Sequence, residues 1–119
     1  MTTPAEELRA AAQKLRETVA AASPGPWTVN DWGNVQTARH EEVAEVWPLQ
    51  SKPDANAAYI ALMGPDVGQH LADLLGSAVS FLADYPDLGI DHDRQACDDY
   101  ACDLVGHALA VARALNGDR

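Results

Sequence analysis

Asp54-Ala55-Asn56-Ala57-Ala58-Tyr59-Ile60-Ala61-Leu62-Met63-Gly64-Pro65 is the stretch on which the fold of this chain depends. It separates a front half rich in Trp and turn residues from a back half with long helical patterns. Asp54 directly after Pro53 predicts a helix start, because Asp is a favoured N-cap residue. Gly64-Pro65 predicts a break, since Gly often ends a helix and Pro suits the first turn of the next. One side of the short helix is predicted to carry Ala55, Ala58, Tyr59 and Leu62.

Two long helices are predicted in the back half. Residues 54–85 form a broken helix, and its second part has apolar residues at helical spacing. These are Val67, Leu71, Leu74, Leu75, Ala78 and Leu82. A last helix is predicted over 91–116, capped by Asp91 and closed by Asn116-Gly117. Its apolar stripe comprises Cys97, Tyr100 or Ala101, Leu104, Ala108, Val111 and Leu115. Because a short loop joins the two helices, we expect them to pack antiparallel.

The front half predicts a helix followed by a small sheet. Thr3 and Glu6 have the spacing of a capping box, which predicts a helix over 1–22 that ends before Ser23-Pro24-Gly25-Pro26. Residues 27–47 predict three strands, 27–29, 35–37 and 42–47, and their short connections favour an antiparallel meander. The predicted class is α+β: an N-terminal helix, a three-stranded antiparallel meander, a broken central helix and a C-terminal helix that forms an antiparallel pair with it.

Length and charge restrict the function classes. The 119 residues are predicted to form a single domain, 1–119, which is an ordinary domain size. The formal charge of −10 repels phosphate backbones and anionic membranes, so we expect neither nucleic acid nor membrane as a partner. Mimicry of DNA is an alternative interpretation of that charge, beside solubility. No stretch approaches the roughly 20 apolar residues of a membrane span. Glu6 and Glu7 stand where a signal peptide needs basic residues, so a cytoplasmic location is expected.

Several short motifs occur in a familiar order. They are Ser23-Pro24-Gly25-Pro26-Trp27, Val43-Ala44-Glu45-Val46, Asp54-Ala55-Asn56-Ala57-Ala58-Tyr59-Ile60-Ala61, Pro65, and Leu71 with Leu74-Leu75. The set resembles a group of small phage and prophage proteins, often described as Ead-like, that share a "PGPW" entry, a "VAEV" strand and an "NAxxIA" helix. The resemblance covers roughly residues 23 to 85 and implies an actinobacterial or actinophage context more than an activity. Gly64 departs from it, since such proteins usually have Ala there.

Trp27 has two interpretations. Directly after Gly25-Pro26 its ring is fixed in direction, so it can anchor the sheet on the short helix, with Ile60 and Tyr59 as the surfaces it meets. Alternatively, Trp27, Asn56 and Tyr59 converge on a ligand pocket, since pockets combine aromatic walls with few polar groups. A nucleotide ligand also needs a nearby cation, for which the candidates are Arg39, Lys52 and Arg94.

No catalytic or metal-binding residues are predicted. The four His residues include no pair at the i, i+4 spacing that places two imidazoles on one metal. Asp91, Asp93, Asp98, Asp99 and Asp103 form the densest acidic group. Asp99 and Asp103 share a helix face and could hold a divalent cation, but a solvated helix face is the preferred interpretation. Cys97 and Cys102 lie on opposite sides of one predicted helix and are expected to be reduced and partly buried.

The resemblance, together with the lack of a catalytic motif in the sequence, implies a non-enzymatic phage or prophage accessory protein, without a cofactor, that binds a host protein. One alternative is a small-ligand binder such as a sponge for signalling nucleotides, and a weaker one is a metal-dependent hydrolase that uses the Asp91–Asp103 acids. Because the apolar helix faces exceed what a small sheet can cover, we also expect a homodimer or higher oligomer.

Overall fold

The structure is a computed structural model and describes residues 2–49, 52–89 and 100–117. Its elements are α1 (Pro4–Ala21), β1 (Thr28–Val29), β2 (Val35–Gln36), β3 (Glu42–Ala44), α2 (Pro53–Leu62), α3 (Pro65–Asp84), a 3₁₀ turn (Pro86–Gly89) and α4 (Tyr100–Asn116). The predicted α+β class is confirmed, and so is the break at Gly64-Pro65. Residues 91–99, the first part of the predicted last helix, lie outside the described residues.

The sheet is the predicted antiparallel meander, in the order β1-β2-β3. Its strands are shorter than predicted, and β3 ends at Ala44 and not at residue 47. Val35 faces Ala44 and Gln36 faces Glu42, so Val43 is an extra residue in β3. Such a β-bulge bends the strand and interrupts its pairing, which explains the early end of the ladder.

The chain divides into two compact units, residues 17–70 and residues 1–16 with 71–119. The boundaries fall within α1 and within α3, so each of these helices contributes to both units. Each unit has its own apolar core. The single domain predicted for residues 1–119 stays a prediction.

Trp27 anchors the sheet of unit 17–70 on α2. The buried residues of this core are Val35, Val46 and Ala57, and the side chains of Trp27 and Ile60 pack against them. The Trp27 indole N–H donates to the carbonyl of Ser23 at 3.0 Å, which satisfies the polar edge of the ring. The predicted packing of Trp27 with Ile60 is therefore confirmed, whereas Tyr59, the other predicted contact, is not part of this core.

The other unit is a helical core shared by α1, α3 and α4. Its buried residues are Leu8, Ala11 and Ala12 of α1, Leu75 and Leu82 of α3, and Val105, Leu109 and Ala112 of α4. Arg113 of α4 donates to the Glu7 carboxylate of α1 at 2.8 Å, and the Asn116 side chain donates to the Glu7 carbonyl at 3.1 Å. These contacts fix the end of α4 against the start of α1.

The predicted start of α1 is confirmed in detail. Thr3 Oγ1 accepts from the Glu6 amide at 3.2 Å, and the Glu6 carboxylate accepts from the Thr3 amide at 3.2 Å. This reciprocal pair is the capping box, which satisfies two amide groups that the first helical turn leaves without partners.

The predicted stripes of α3 and α4 need correction. In α4 the buried positions are Cys102, Val105, Leu109 and Ala112. Leu104, predicted to face the core, is 68% exposed, and Leu74 of α3 is 62% exposed. The reason is that α4 packs on α1 as well as on α3, which turns its buried side towards α1. Cys102 is fully buried, whereas Cys97 lies outside the described residues.

Candidate functional site

An open apolar groove runs between α3 and α4 in the helical unit. Its volume is about 350 Å³. It is lined by Leu71, Leu74, Leu75, Ser77, Ala78 and Phe81 of α3 and by Leu104, Val105, His107, Ala108 and Val111 of α4. We call it the α3–α4 groove.

The floor and the rims of the groove consist of residues that differ in burial. Leu75 and Val105 are buried in the helical core, with Ala78 and Ala108 packed against it, so these residues form the floor. Leu74 and Leu104 remain largely exposed and form the rims. The floor, which includes Ala78 and Ala108, and the exposed Leu74 and Leu104 rims together form an apolar channel that is open to the outside.

The groove has few polar groups to orient a ligand. Among its lining residues only Ser77 and His107 have polar side chains. The Ser77 hydroxyl already donates to the carbonyl of Asp73 at 3.1 Å, within its own helix. Small-molecule sites combine apolar walls with several convergent polar groups. The arrangement therefore suits an apolar surface better than a polar metabolite.

Helical spacing places acidic residues next to polar lining residues on both walls of the groove. Asp73 and Asp84 lie on the α3 face that also carries Ser77, at spacings of four and seven residues, and Asp103 precedes His107 by four residues on α4. Asp73 lies 3.9 Å from Arg16, and both side chains are about half exposed, so this pair is weak. Arg113, the one basic residue of α4, is already paired with Glu7. The edges of the groove are therefore negatively charged.

Helical spacing assigns both Leu74 and Leu104 to the core, so the sequence does not reveal this groove. The pairs Leu74-Leu75 and Leu104-Val105 fit one apolar face on each helix, and a face about 100° wide is ordinary for a helix that packs on a core. Which member of each pair is buried depends on how α1, α3 and α4 pack together.

The structure separates the residues of the predicted ligand pocket. Trp27 packs beside Ile60 and Ala57, on the side of α2 that faces the sheet. Tyr59 lies outside this cluster and is 65% exposed, and Asn56 is also exposed. Leu62 is 69% exposed, so the predicted side of α2 with Ala55, Ala58, Tyr59 and Leu62 is its solvent side. A ligand role for Trp27, Asn56 and Tyr59 stays a prediction.

Two of the three candidate cations lie on separate segments of the chain, and the third cation and most of the candidate acids lie outside the described residues. Arg39 is exposed in the loop between β2 and β3, and Lys52 is exposed directly before α2. Arg94 and most of the Asp91–Asp103 group lie outside the described residues, and Asp103 is exposed in the first turn of α4. Within the described ranges, no three His, Cys, Asp or Glu side chains come together as a metal site.

Comparison with known proteins places no further constraint on the site. No family model, no curated protein and no solved structure matches this chain. In the part of the chain that the structure describes, none of the helices has the length and apolar character needed to cross a membrane.

Proposed function

We propose that this chain is a non-enzymatic binding protein that holds a segment of another protein in the α3–α4 groove. The observation that carries the proposal is the exposure of Leu74 and Leu104, 62% and 68%, on the two rims of one apolar channel. Contiguous exposed apolar surface is costly in water and commonly marks a protein-interaction site. Burial of the two leucines against a partner provides the driving force for association.

The partner proposed is a host protein in the cytoplasm, with the chain acting as a phage or prophage accessory protein. The support is the resemblance of residues 23 to 85 to small phage proteins. The negative charge of the chain agrees with a protein partner, because it disfavours nucleic acids and anionic membranes. A nucleotide ligand finds neither Lys nor Arg among the lining residues of the groove.

Site-specific photo-crosslinking in cells tests this proposal. A photoreactive amino acid is placed at position 74, on the rim of the groove, in a chain expressed in an actinobacterial host. The matched control carries it at position 62, because Leu62 is 69% exposed but lies on α2. We expect covalent adducts with one or a few host proteins from position 74, and their loss when Leu104→Asp is added.

Two results would contradict the proposal. One is the absence of any adduct from position 74, although the same probe crosslinks an unrelated protein that is added in excess as a positive control. The other is the same set of adducts from positions 74 and 62, which would indicate non-specific contact by exposed apolar residues.

A further inference from the structure

We propose that the occupant of the α3–α4 groove is a basic amphipathic helix of the partner, with large aliphatic side chains on one face and Lys or Arg beside them. This inference rests on the proposed binding function and specifies the chemistry of the partner.

The shape of the groove fits about two turns of helix. Its α3 wall runs from Leu71 to Phe81, about 15 Å, and its α4 wall runs from Leu104 to Val111, about 10 Å. Residues i and i+7 of a helix are also separated by about 10 Å along the axis. Helices that dock in grooves insert anchors at i, i+3 or i+4, and i+7. The two walls therefore accommodate three such anchors in a row.

The polarity of the groove favours a helix over an extended strand. A strand docks by main-chain hydrogen bonds to an exposed sheet edge, whereas the groove walls are helices whose backbone groups are already bonded. A helix satisfies its own backbone and needs only an apolar surface. The volume of about 350 Å³ would otherwise hold roughly ten waters against walls that offer few hydrogen bonds.

The negative charge at the edges of the groove favours basic residues beside the anchors of the partner. Between Leu71 and Asp84, α3 carries two Asp and neither Lys nor Arg. Within the described residues, the carboxylates of Asp84 and Asp103 take part in no salt bridge. Complementary charge at the rim of an interface steers association and rejects partners of like charge. Lys and Arg beside the aliphatic anchors meet this requirement.

The same charge argues against a second copy of the chain as the occupant. In a two-fold symmetric dimer the same surface patch meets itself. Groove-to-groove contact would bring the acidic edges of both copies together, in a chain whose formal charge is −10. The homodimer expected from the sequence stays a prediction, and it is an outcome that the experiment below detects.

Selection from a displayed library of random peptides about 16 residues long, enough for four helical turns, tests the inference. Wild-type chain is the bait, and the variant with Leu74→Asp and Leu104→Asp is used for counter-selection. We expect enriched peptides with aliphatic residues at i, i+3 or i+4, and i+7, and with an excess of Lys and Arg.

The most enriched peptide is then synthesised with a fluorophore and titrated by anisotropy. We expect its Kd for the double Asp variant to be at least about tenfold higher than for wild type, and its affinity to fall with added salt. Asp84→Asn with Asp103→Asn should weaken binding by about threefold, in line with the small energies of exposed charge pairs. Leu62→Asp, the same change at an equally exposed residue of α2, should leave the Kd unchanged.

Several results would overturn the inference. Enriched peptides that are acidic, that lack helical spacing, or that bind the double Asp variant equally well all contradict it. A dimer in sedimentation velocity that dissociates on Leu74→Asp would identify a second copy as the occupant. Host adducts from position 74 without basic helical peptides would refute the partner class but leave the proposed function intact. If neither host adducts nor basic helical peptides are found, both the proposed function and the partner class are refuted.

Discussion

Asn30 begins the loop between β1 and β2, and Thr37 begins the loop between β2 and β3. In the first loop (Asn30–Asn34) the Asn30 amide donates to the Asn34 carbonyl at 2.8 Å, and in the second loop (Thr37–Glu41) the Thr37 amide donates to the Glu41 carbonyl at 2.8 Å. In both, the amide of the fourth residue donates to the carbonyl of the first at 3.0 Å. These are three-residue hairpin connections, in which the residue before the second strand takes a left-handed conformation.

The two loops also share a pattern of hydrogen bonds from backbone amides to the side chain of their first residue. Asn30 Oδ1 accepts from the amides two and four residues later, each at 3.0 Å. Thr37 Oγ1 accepts from the amides at the same two positions, each at 3.3 Å. An oxygen on the first residue thus holds the loop backbone in place in both cases.

The left-handed position is where the loops differ. Gly33 occupies it in the first loop with φ of 77°, and His40 occupies it in the second with φ of 65°. Gly adopts this conformation without steric cost, whereas a residue with a Cβ atom does so at a cost. The comparison teaches that the hydrogen bonds of the second loop are sufficient to hold His40 in a conformation that it disfavours.

The largest loss of stability is expected at Asn34, because its side chain bonds the first loop to the rest of the sheet. Asn34 Nδ2 donates to the Glu42 carboxylate at 2.8 Å, and Asn34 Oδ1 accepts from the Val46 amide at 2.9 Å. Asn34→Ala should reduce the free energy of unfolding by about 2 kcal/mol, because it leaves the Val46 amide without its partner and removes a charge-assisted bond. Urea unfolding followed by Trp fluorescence measures this, since Trp27, Trp32 and Trp47 all lie in unit 17–70.

Glu41→Ala is the matched control for that change, because Glu41 occupies the equivalent position of the second loop and its side chain is exposed. It should change the free energy of unfolding by no more than about 0.5 kcal/mol. Equal losses in the two variants would show that the first loop is not tied to β3 by the Asn34 side chain.

Gly33→Ala should have the next largest effect, a loss of about 1 kcal/mol. A Cβ atom at Gly33 would have no neighbour within 4 Å, so the cost is purely that of the left-handed backbone. Gly33→Asn should lose less, because Asn tolerates this conformation better. The same urea titration checks both changes, and a loss for Asn equal to that for Ala would contradict the conformational explanation.

These loops also show what the sequence could and could not predict. In the first loop, Gly33 is a direct local signal for a positive φ, so the sequence alone indicates this turn. For the second loop the sequence indicates only a short connection, since Ala38-Arg39-His40-Glu41 contains no residue that favours a left-handed backbone strongly. Its conformation depends on hydrogen bonds to the hydroxyl of Thr37, a residue that is buried in the folded chain. The capping box of Thr3 and Glu6 was predictable because both partners are local.

The candidate site was less predictable than the fold for the same reason. Helical spacing identifies an apolar face, but it does not say which part of that face a third helix covers. Leu74 and Leu75 are adjacent in sequence but differ in burial, since Leu75 is fully buried and Leu74 is 62% exposed. Only the packing of α1 beside α3 and α4 decides between them.

A smaller effect of opposite sign is expected at His40. His40→Gly should increase the free energy of unfolding by about 0.5 kcal/mol, because relief of the left-handed strain slightly exceeds the entropy that Gly loses on folding. The 3.2 Å contact between His40 Nδ1 and the side-chain Nε2 of Gln36 is exposed, so its loss costs little. A decrease in stability would mean that this contact, and not the backbone, determines the preference for His.

The smallest effect is expected at the third residue of each loop. Trp32 is 87% exposed, and Arg39 is exposed at the equivalent position. Only their backbone amides contribute to the loop bonds, so Trp32→Ala and Arg39→Ala should each change the free energy of unfolding by no more than about 0.5 kcal/mol. Thermal unfolding by circular dichroism avoids the loss of the Trp32 signal. A large destabilisation by Trp32→Ala alone would show that its ring packs on the sheet in solution, and the two loops would then differ in their tips as well as in their left-handed residue.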